Sequence, residues 1–415
     1  MPRDDNPDPK KDIPMTNELK QNYKDLDKKD KEHEVFKKIE QKKKELDIEV
    51  IPIYISFNEF KKPSSVILEN VGNSTYMSCV LQCLVNIQSI AKYYLKELNT
   101  IKNHLNEIPF SYVFSRIIFQ LYSYLPSNLK QSISLSNFHK CVVSLHPEFA
   151  ENSTQYAVNF LIAFLDTLND EDKQLHKNNN INNTSEETKS GPYKDSKEYI
   201  KYLKENENSI IFNDFGWVNQ KIKKCEQCKS ESVIYQIYFT FDLNLENSLQ
   251  NAKLDNKDEI SVYECIERQC QKRQLYSVYC EVCKNQTPSE LESLILVSPK
   301  YFIFILDEDK MKELKNNNIK FRIDPYFDLS YVIKDYSMNY NYELIGMVVY
   351  ELLYNNNIEY KEYNAYCLSY FDNNWYKYEK EKISKVNIVP LLESKNLNPV
   401  ILFYRIKENK KISNY

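Results

Sequence analysis

The chain has 415 residues, 42% of them hydrophobic, enough for a sizeable core in one large domain or two ordinary ones. A net charge of −4 gives no overall pull toward nucleic acid. No apolar run reaches the roughly 18 residues of a membrane span, and the opening MPRDDNPDPKKD lacks the apolar stretch of a secretory signal, so the ten cysteines are expected to be reduced thiols of the cytoplasm or nucleus.

Residues 1–62 read as a charged arm. Its Pro/Asp-rich start is expected to be disordered, and residues 17–49 could form a solvated helix with sparse apolar anchors such as Phe36 and Ile39. Ser74–Leu98 reads as a buried helix: Met77, Val80, Leu81 and Leu84 fall at helical spacing, and Ser74 is placed to cap the start. Helical patterning returns in Phe110–Leu125 and Ala157–Leu168, and residues 175–195 read as a polar, exposed insertion. The period then changes. Val233, Tyr235, Ile237, Phe239, Phe241, Leu243 and Leu245 alternate with mostly polar neighbours, as in a half-buried strand. Further strands are expected at Leu294–Val297, Tyr301–Leu306, Glu343–Tyr350, Ala365–Phe371, Trp375–Tyr378 and Val400–Arg405. Helices first and strands later predict an α+β fold.

Two C-x-x-C pairs, Cys225 with Cys228 and Cys280 with Cys283, carry the metal signal. Each tight bend puts two thiolates on one side, and together they complete a tetrahedral S₄ site for Zn²⁺. Such a closed site ties strands together and leaves no coordination position for chemistry. The long gap between the pairs leaves room for an extended hairpin-like finger. Cys265 and Cys270, at a different spacing, read as ordinary thiols.

Val66–Leu84 reads VILENVGNSTYMSCVLQCL. This resembles the cysteine box of the ubiquitin-specific proteases (peptidase C19), G-L-x-N-x-G-N-T-C-Y-M-N-S-x-L-Q-C-L. The match runs through Asn70, Gly72, Asn73, Tyr76, Met77, Leu81, Gln82, Cys83 and Leu84. Gln155–Tyr156–Ala157 with Phe160 and Leu161 looks like the family's Q-D-A-x-E-F-L segment. Tyr363, Ala365 and Tyr366, followed by Trp375–Tyr378, resemble the histidine box, usually G-H-Y-x-x-Y and W-Y-x-F-D-D. Leu402–Arg405 is similar to the closing strand. The resemblance implies a papain-like domain over residues 63–410, with a helical thumb (about 64–210), zinc-pinned β fingers (about 211–292) and a β-rich palm (about 293–406) that cradle ubiquitin.

The departures fall on the chemistry. Thr75 stands at the nucleophile position, Glu362 at that of the general base and Glu379 at that of the orienting acid; Asn70, matching the oxyanion asparagine, is retained. A secondary hydroxyl needs a strong, well-placed base. A carboxylate with a reference pKa of about 4.3 is a poor one, and its charge opposes an oxyanion beside it. The five histidines all lie at or before residue 176, so the strands expected to present the base hold no imidazole. The run Glu351–Tyr360, where the family often has a Gly-rich blocking loop, has no glycine. Three functions follow from the resemblance. The first is an inactive pseudo-deubiquitinase that binds ubiquitin or a ubiquitinated protein. The second is an active thiol hydrolase with Cys79 as a displaced nucleophile. The third is a scaffold of a multiprotein complex without ubiquitin binding. None of them calls for a membrane or for nucleic acid.

Overall fold

The first long helix starts at a turn that needs a glycine. Gly72 takes φ 59°, a left-handed conformation that side chains disfavour, and the chain then enters α1 (Thr75–Val85), all eleven residues of which are buried. The computed structural model describes residues 66–123, 132–150, 156–179, 195–333, 340–355 and 358–407, all within the unit Ile55–Tyr415. The charged arm expected at 1–62 lies outside them.

The helix expected over Ser74–Leu98 is two. Asn86 ends α1: its backbone N–H bonds Leu84 O and its side-chain Nδ2 donates to Gln82 O at 2.8 Å, offering the backbone an alternative to the helical ladder. Ile87 is extended, and α2 (Gln88–Asn103) follows with Ile90, Ala91, Tyr94, Leu95, Leu98 and Ile101 on its buried stripe. Ser74 precedes α1 but does not cap it, because its hydroxyl accepts from Val71 N at 2.8 Å. A short strand before α1, β1 (Ile67–Glu69), pairs parallel with β2 (Ser132–Ser134); the next helices are α3 (Pro109–Ser123), α4 (Ser136–Leu145) and α5 (Ala157–Asn179). Their rings interlock: Phe164 meets Phe110 at 5.2 Å and Phe114 at 4.9 Å, both edge to face.

Helix α5 runs eleven residues beyond the Leu168 at which the apolar pattern stops. Its polar residues are buried because they serve other helices. Glu171 accepts from Phe110 N and Ser111 N at the start of α3. Asp172 accepts from Ile210 N at the start of α7 (Ile210–Phe215), and Asn169 accepts from Ser209. Carboxylates at helix N-termini satisfy orphan donors and meet the positive end of the dipole. Leu175 is 2% exposed and the helix continues to Asn179, so the first residues of the insertion expected at 175–195 are helical; residues 180–194 lie outside the described ones.

After α6 (Ser196–Asn206) the chain turns to strands. A four-stranded antiparallel sheet has the order β4–β3–β8–β7, built from β3 (Trp217–Cys225), β4 (Glu231–Tyr238), β7 (Arg273–Cys280) and β8 (Asn285–Val297). The long alternation Val233–Leu245 is therefore not one strand. It is β4, then β5 (Phe241–Asp242), then the first residue of α8 (Leu245–Leu254). Val233 and Ile234 stand exposed. The gap between the cysteine pairs is no simple hairpin either. The chain leaves this sheet through α8, β6 (Glu259–Ser261), which pairs parallel with β10 (Lys320–Arg322), and α9 (Val262–Cys270) before β7 returns it.

An eight-stranded sheet completes the fold. Its path is β15–β14–β13–β12–β16–β9–β5, with β11 (Tyr326–Asp328) also on β12. The remaining strands are β9 (Tyr301–Ile305), β12 (Asn341–Asn355), β13 (Ile358–Leu368), β14 (Trp375–Tyr378), β15 (Ile383–Val386) and β16 (Pro399–Ile406); α10 (Glu308–Asn316) follows β9. The Glu351–Tyr360 run expected as a loop is a hairpin, paired from Glu351↔Glu362 to Asn355↔Ile358. Buried rings of Trp217, Phe241, Phe302, Phe304, Phe327, Tyr342 and Tyr404 form the core beneath the sheet. The buried hydroxyls of Tyr342 and Tyr404 donate to Pro299 O and Asp324 O, each at 2.7 Å. No helix among the described residues is long and apolar enough to cross a membrane.

Candidate functional site

A small cleft lies where α1 meets β13 and β14. It is lined by Ile67, Leu68, Thr75, Ser78, Cys79, Gln82, Tyr363, Tyr378, Glu379, Lys380 and Ile383. Thr75 reaches it as the first residue of α1, and its Oγ1 accepts the backbone N–H of Tyr363 at 3.3 Å. That N–H is available because β14 stops pairing with β13 at Ala365↔Tyr378. The threonine hydroxyl thus continues, from the helix end, a hydrogen-bonding edge that the strand has left.

The other expected positions gather around it. Asn70 Oδ1 accepts the Ser78 hydroxyl at 2.7 Å, and Asn70 Nδ2 is buried with no partner. Glu362 is the residue before Tyr363 and lies opposite Glu351 on β12. Glu379, one residue past β14, pairs with Lys377 at 2.7 Å, and Lys377 also lies 3.8 Å from Glu351. Three carboxylates, Glu351, Glu362 and Glu379, and the Lys377 ammonium therefore lie on or just past neighbouring strands, and no histidine is among the residues that line the cleft. Cys79, one turn into α1, is 4% exposed. Burial, then the neighbouring Cys83, pushes its thiol well up, away from the thiolate that attacks. The histidines sit elsewhere. His146 bonds Thr167 at 2.8 Å, His176 faces Asp172, His104 faces Glu107, His139 is on α4, and His33 is outside the described residues.

Sequence reasoning missed a group beside this cleft. Lys361 of β13 forms an ion pair with Glu308 of α10, and its ammonium lies over the rings of Tyr156 and Tyr350. The signal was present in two departures from the motifs, Lys361 where the histidine box has glycine and Tyr156 where the helical motif has aspartate. Glu308 carried none, since only the fold brings α10 to β13.

The four-stranded sheet carries the second site. Cys225, Cys228, Cys280 and Cys283 bring their sulfurs within 4.8 Å of one another, with Cys225–Cys283 at 3.9 Å and Cys228–Cys280 at 3.6 Å. Zn–S bonds of about 2.3 Å in a tetrahedron require sulfurs about 3.8 Å apart, so the cluster has the spacing such an ion needs. Each knuckle ends in a lysine with positive φ, Lys229 at 62° and Lys284 at 53°, the bend that turns both sulfurs of a pair to one side. Thr287, at 3.2 Å from Cys225, and the backbone N–H of Cys283, at 3.5 Å from Cys280, supply donors that suit thiolates. The Thr287 contact in particular draws the Cys225 thiol down to about 6. Cys265 is fully buried, and burial pushes its thiol up to about 11.

Comparison with known proteins covers most of this architecture. The family model for ubiquitin carboxyl-terminal hydrolase (UCH) matches residues 66–404. Ubiquitin carboxyl-terminal hydrolase 4 of Eremothecium gossypii is 27% identical over 286 residues, 64% of this chain and 32% of that protein. The Saccharomyces cerevisiae protein of the same name is 24% identical over 380 residues, 81% of this chain and 39% of its own length. This chain therefore spans 32% and 39% of those two relatives. Among solved structures, the SAGA DUB module bound to monoubiquitin contains a chain that superposes with a TM-score of 0.61 at 18% identity, covering 86% of this chain and 72% of its own. The Ubp8/Sgf11/Sus1/Sgf73 module bound to ubiquitin aldehyde gives 0.58 at 16%, with the same coverage. At these identities the likeness is one of fold.

Proposed function

Since the chain belongs to the ubiquitin carboxyl-terminal hydrolase family, we propose that it is a member that binds ubiquitin, or a ubiquitinated protein, without cleaving it. The observation that carries this reading is the state of Thr75. Its hydroxyl sits at the helix N-terminus where a nucleophile belongs, yet it is engaged by the Tyr363 N–H and has carboxylates, not an imidazole, as neighbours. A serine or threonine hydroxyl attacks only when a base takes its proton. Glu379 is committed to Lys377, and Glu362 would repel the oxyanion that attack creates. Asn70 keeps a buried donor with no partner, but a donor without a nucleophile does not cut. Cys79, the alternative nucleophile, is buried and held as a thiol.

Cys225, Cys228, Cys280 and Cys283 would hold one zinc ion. When bound, it supplies a structural tie and no reaction chemistry. Cys225 and Cys280 end β3 and β7, and Cys228 and Cys283 lie in the turns into β4 and β8, so the ion would tie the two turns together. Metal analysis of the purified chain should give one zinc per molecule, and Cys225→Ser with Cys283→Ser should give none.

The ubiquitin-bound state of the solved relatives supports a ubiquitin partner, and their multi-subunit character supports a place in a protein assembly of the cytoplasm or nucleus. The test combines calorimetry with a covalent probe. Ubiquitin should bind with measurable heat, while a ubiquitin bearing a C-terminal electrophile should leave every cysteine unlabelled. Labelling at Cys79 or turnover of a fluorogenic ubiquitin substrate would overturn the inactive reading.

A further inference from the structure

The ammonium of Lys361 is enclosed on several sides. It pairs with the Glu308 carboxylate, lies 4.4 Å from the centroid of the Tyr156 ring and 5.2 Å from that of Tyr350. The Tyr363 hydroxyl reaches the other oxygen of Glu308 at 3.4 Å. The side chains of Lys361 and Glu308 are only 19% and 12% exposed. Aromatic faces and a carboxylate around a partly desolvated cation make a stable group.

Its position follows from the packing of α1. Cys83 meets Cys367 at 3.6 Å, and Thr75 meets the backbone of Tyr363 at 3.3 Å. Eight helical residues rise about 12 Å and four strand residues about 13 Å, so α1 lies along β13 with its N-terminus pointing toward lower strand numbers. Side chains alternate along a strand, so Lys361 shares the face of Tyr363 and Cys367, about 7 Å further on. That places Lys361 in the space beyond the point where Thr75 meets β13. Tyr156 enters it from the residue before α5, and Glu308 from the first turn of α10.

A carbonyl attacked at Thr75 would have to arrive in this space, since the helix N-terminus is where a developing anion is stabilised. Here a cation neutralised by the chain's own carboxylate stands next to Tyr363, a residue that lines the cleft. We infer that Lys361, Glu308 and Tyr156 form a resident plug that keeps an extended C-terminal peptide out of the cleft. A ubiquitin held by this chain is then held through its folded body and not through its tail. This rests on the ubiquitin-binding reading above and specifies how that binding works.

The test is calorimetry of the full chain against two ligands, intact ubiquitin and ubiquitin lacking its C-terminal peptide. The two dissociation constants should agree within about twofold. A truncated ubiquitin that binds about tenfold more weakly or worse would overturn the plug while leaving ubiquitin binding intact. If neither ligand binds, the ubiquitin-binding reading itself fails and takes this inference with it. Two variants sharpen the result. Lys361→Met keeps the bulk and should remain indifferent to the tail. Lys361→Gly with Glu308→Gln empties the space and should bind intact ubiquitin more tightly than truncated ubiquitin. A folded double variant that ignores the tail counts against the plug, and if that variant does not fold, the wild-type comparison decides.

Discussion

Thr75 shows how one side chain can be read from its partners. A hydroxyl that accepts a backbone N–H at 3.3 Å where a neighbouring strand has ended acts as an edge cap for the sheet. Thr75→Val keeps the shape and removes the acceptor, leaving a largely buried N–H short of a partner. The expected cost is about 1 kcal/mol, read as a lower urea midpoint with an unchanged slope. An unchanged midpoint would show that the bond contributes nothing. The sequence singled out this position through the motif around it. It did not reveal the partner, because the Tyr363 amide becomes available only when β14 turns away.

At the scale of elements, the two knuckles are the most local devices in the chain. Both end in lysine where the backbone is left-handed, at φ 62° and 53°. A side chain in that region is strained by roughly 1–2 kcal/mol, and glycine is not, although glycine also loosens the unfolded chain. Lys229→Gly and Lys284→Gly should therefore each raise stability by up to about 1 kcal/mol, seen as a higher midpoint for the four-stranded sheet with zinc stoichiometry unchanged. A drop would mean that the lysine side chains do more than turn the chain. Strand Trp375–Tyr378 could be read from its residues to the exact bounds. The split between α1 and α2 could not, because it depends on Asn86 reaching both Gln82 O and Tyr378. The length of α5 escaped for a similar reason. Asn169, Glu171 and Asp172 look solvent-facing in sequence, yet they are buried by the donors they satisfy.

Over the whole molecule, the core beneath the eight-stranded sheet sets the stability. Phe304 has 0% exposure and touches the rings of Phe241, Phe302, Phe327 and Tyr404. Phe304→Ala removes a buried ring from a place that cannot collapse around the gap. It should cost about 3–5 kcal/mol, measured by denaturant unfolding; a loss under about 1 kcal/mol would mean a core free to repack.

The sequence by itself determined the α+β class, the family resemblance and the four cysteines, because residue type and short-range spacing encode each of these. Tertiary structure alone decided that the expected blocking loop is a paired hairpin and that Thr75 serves the Tyr363 amide. It alone brought Lys361, Glu308 and Tyr156 together. These residues are far apart along the chain, and contacts of that kind arise only when a helix end, a strand and two neighbouring helices are packed against one another.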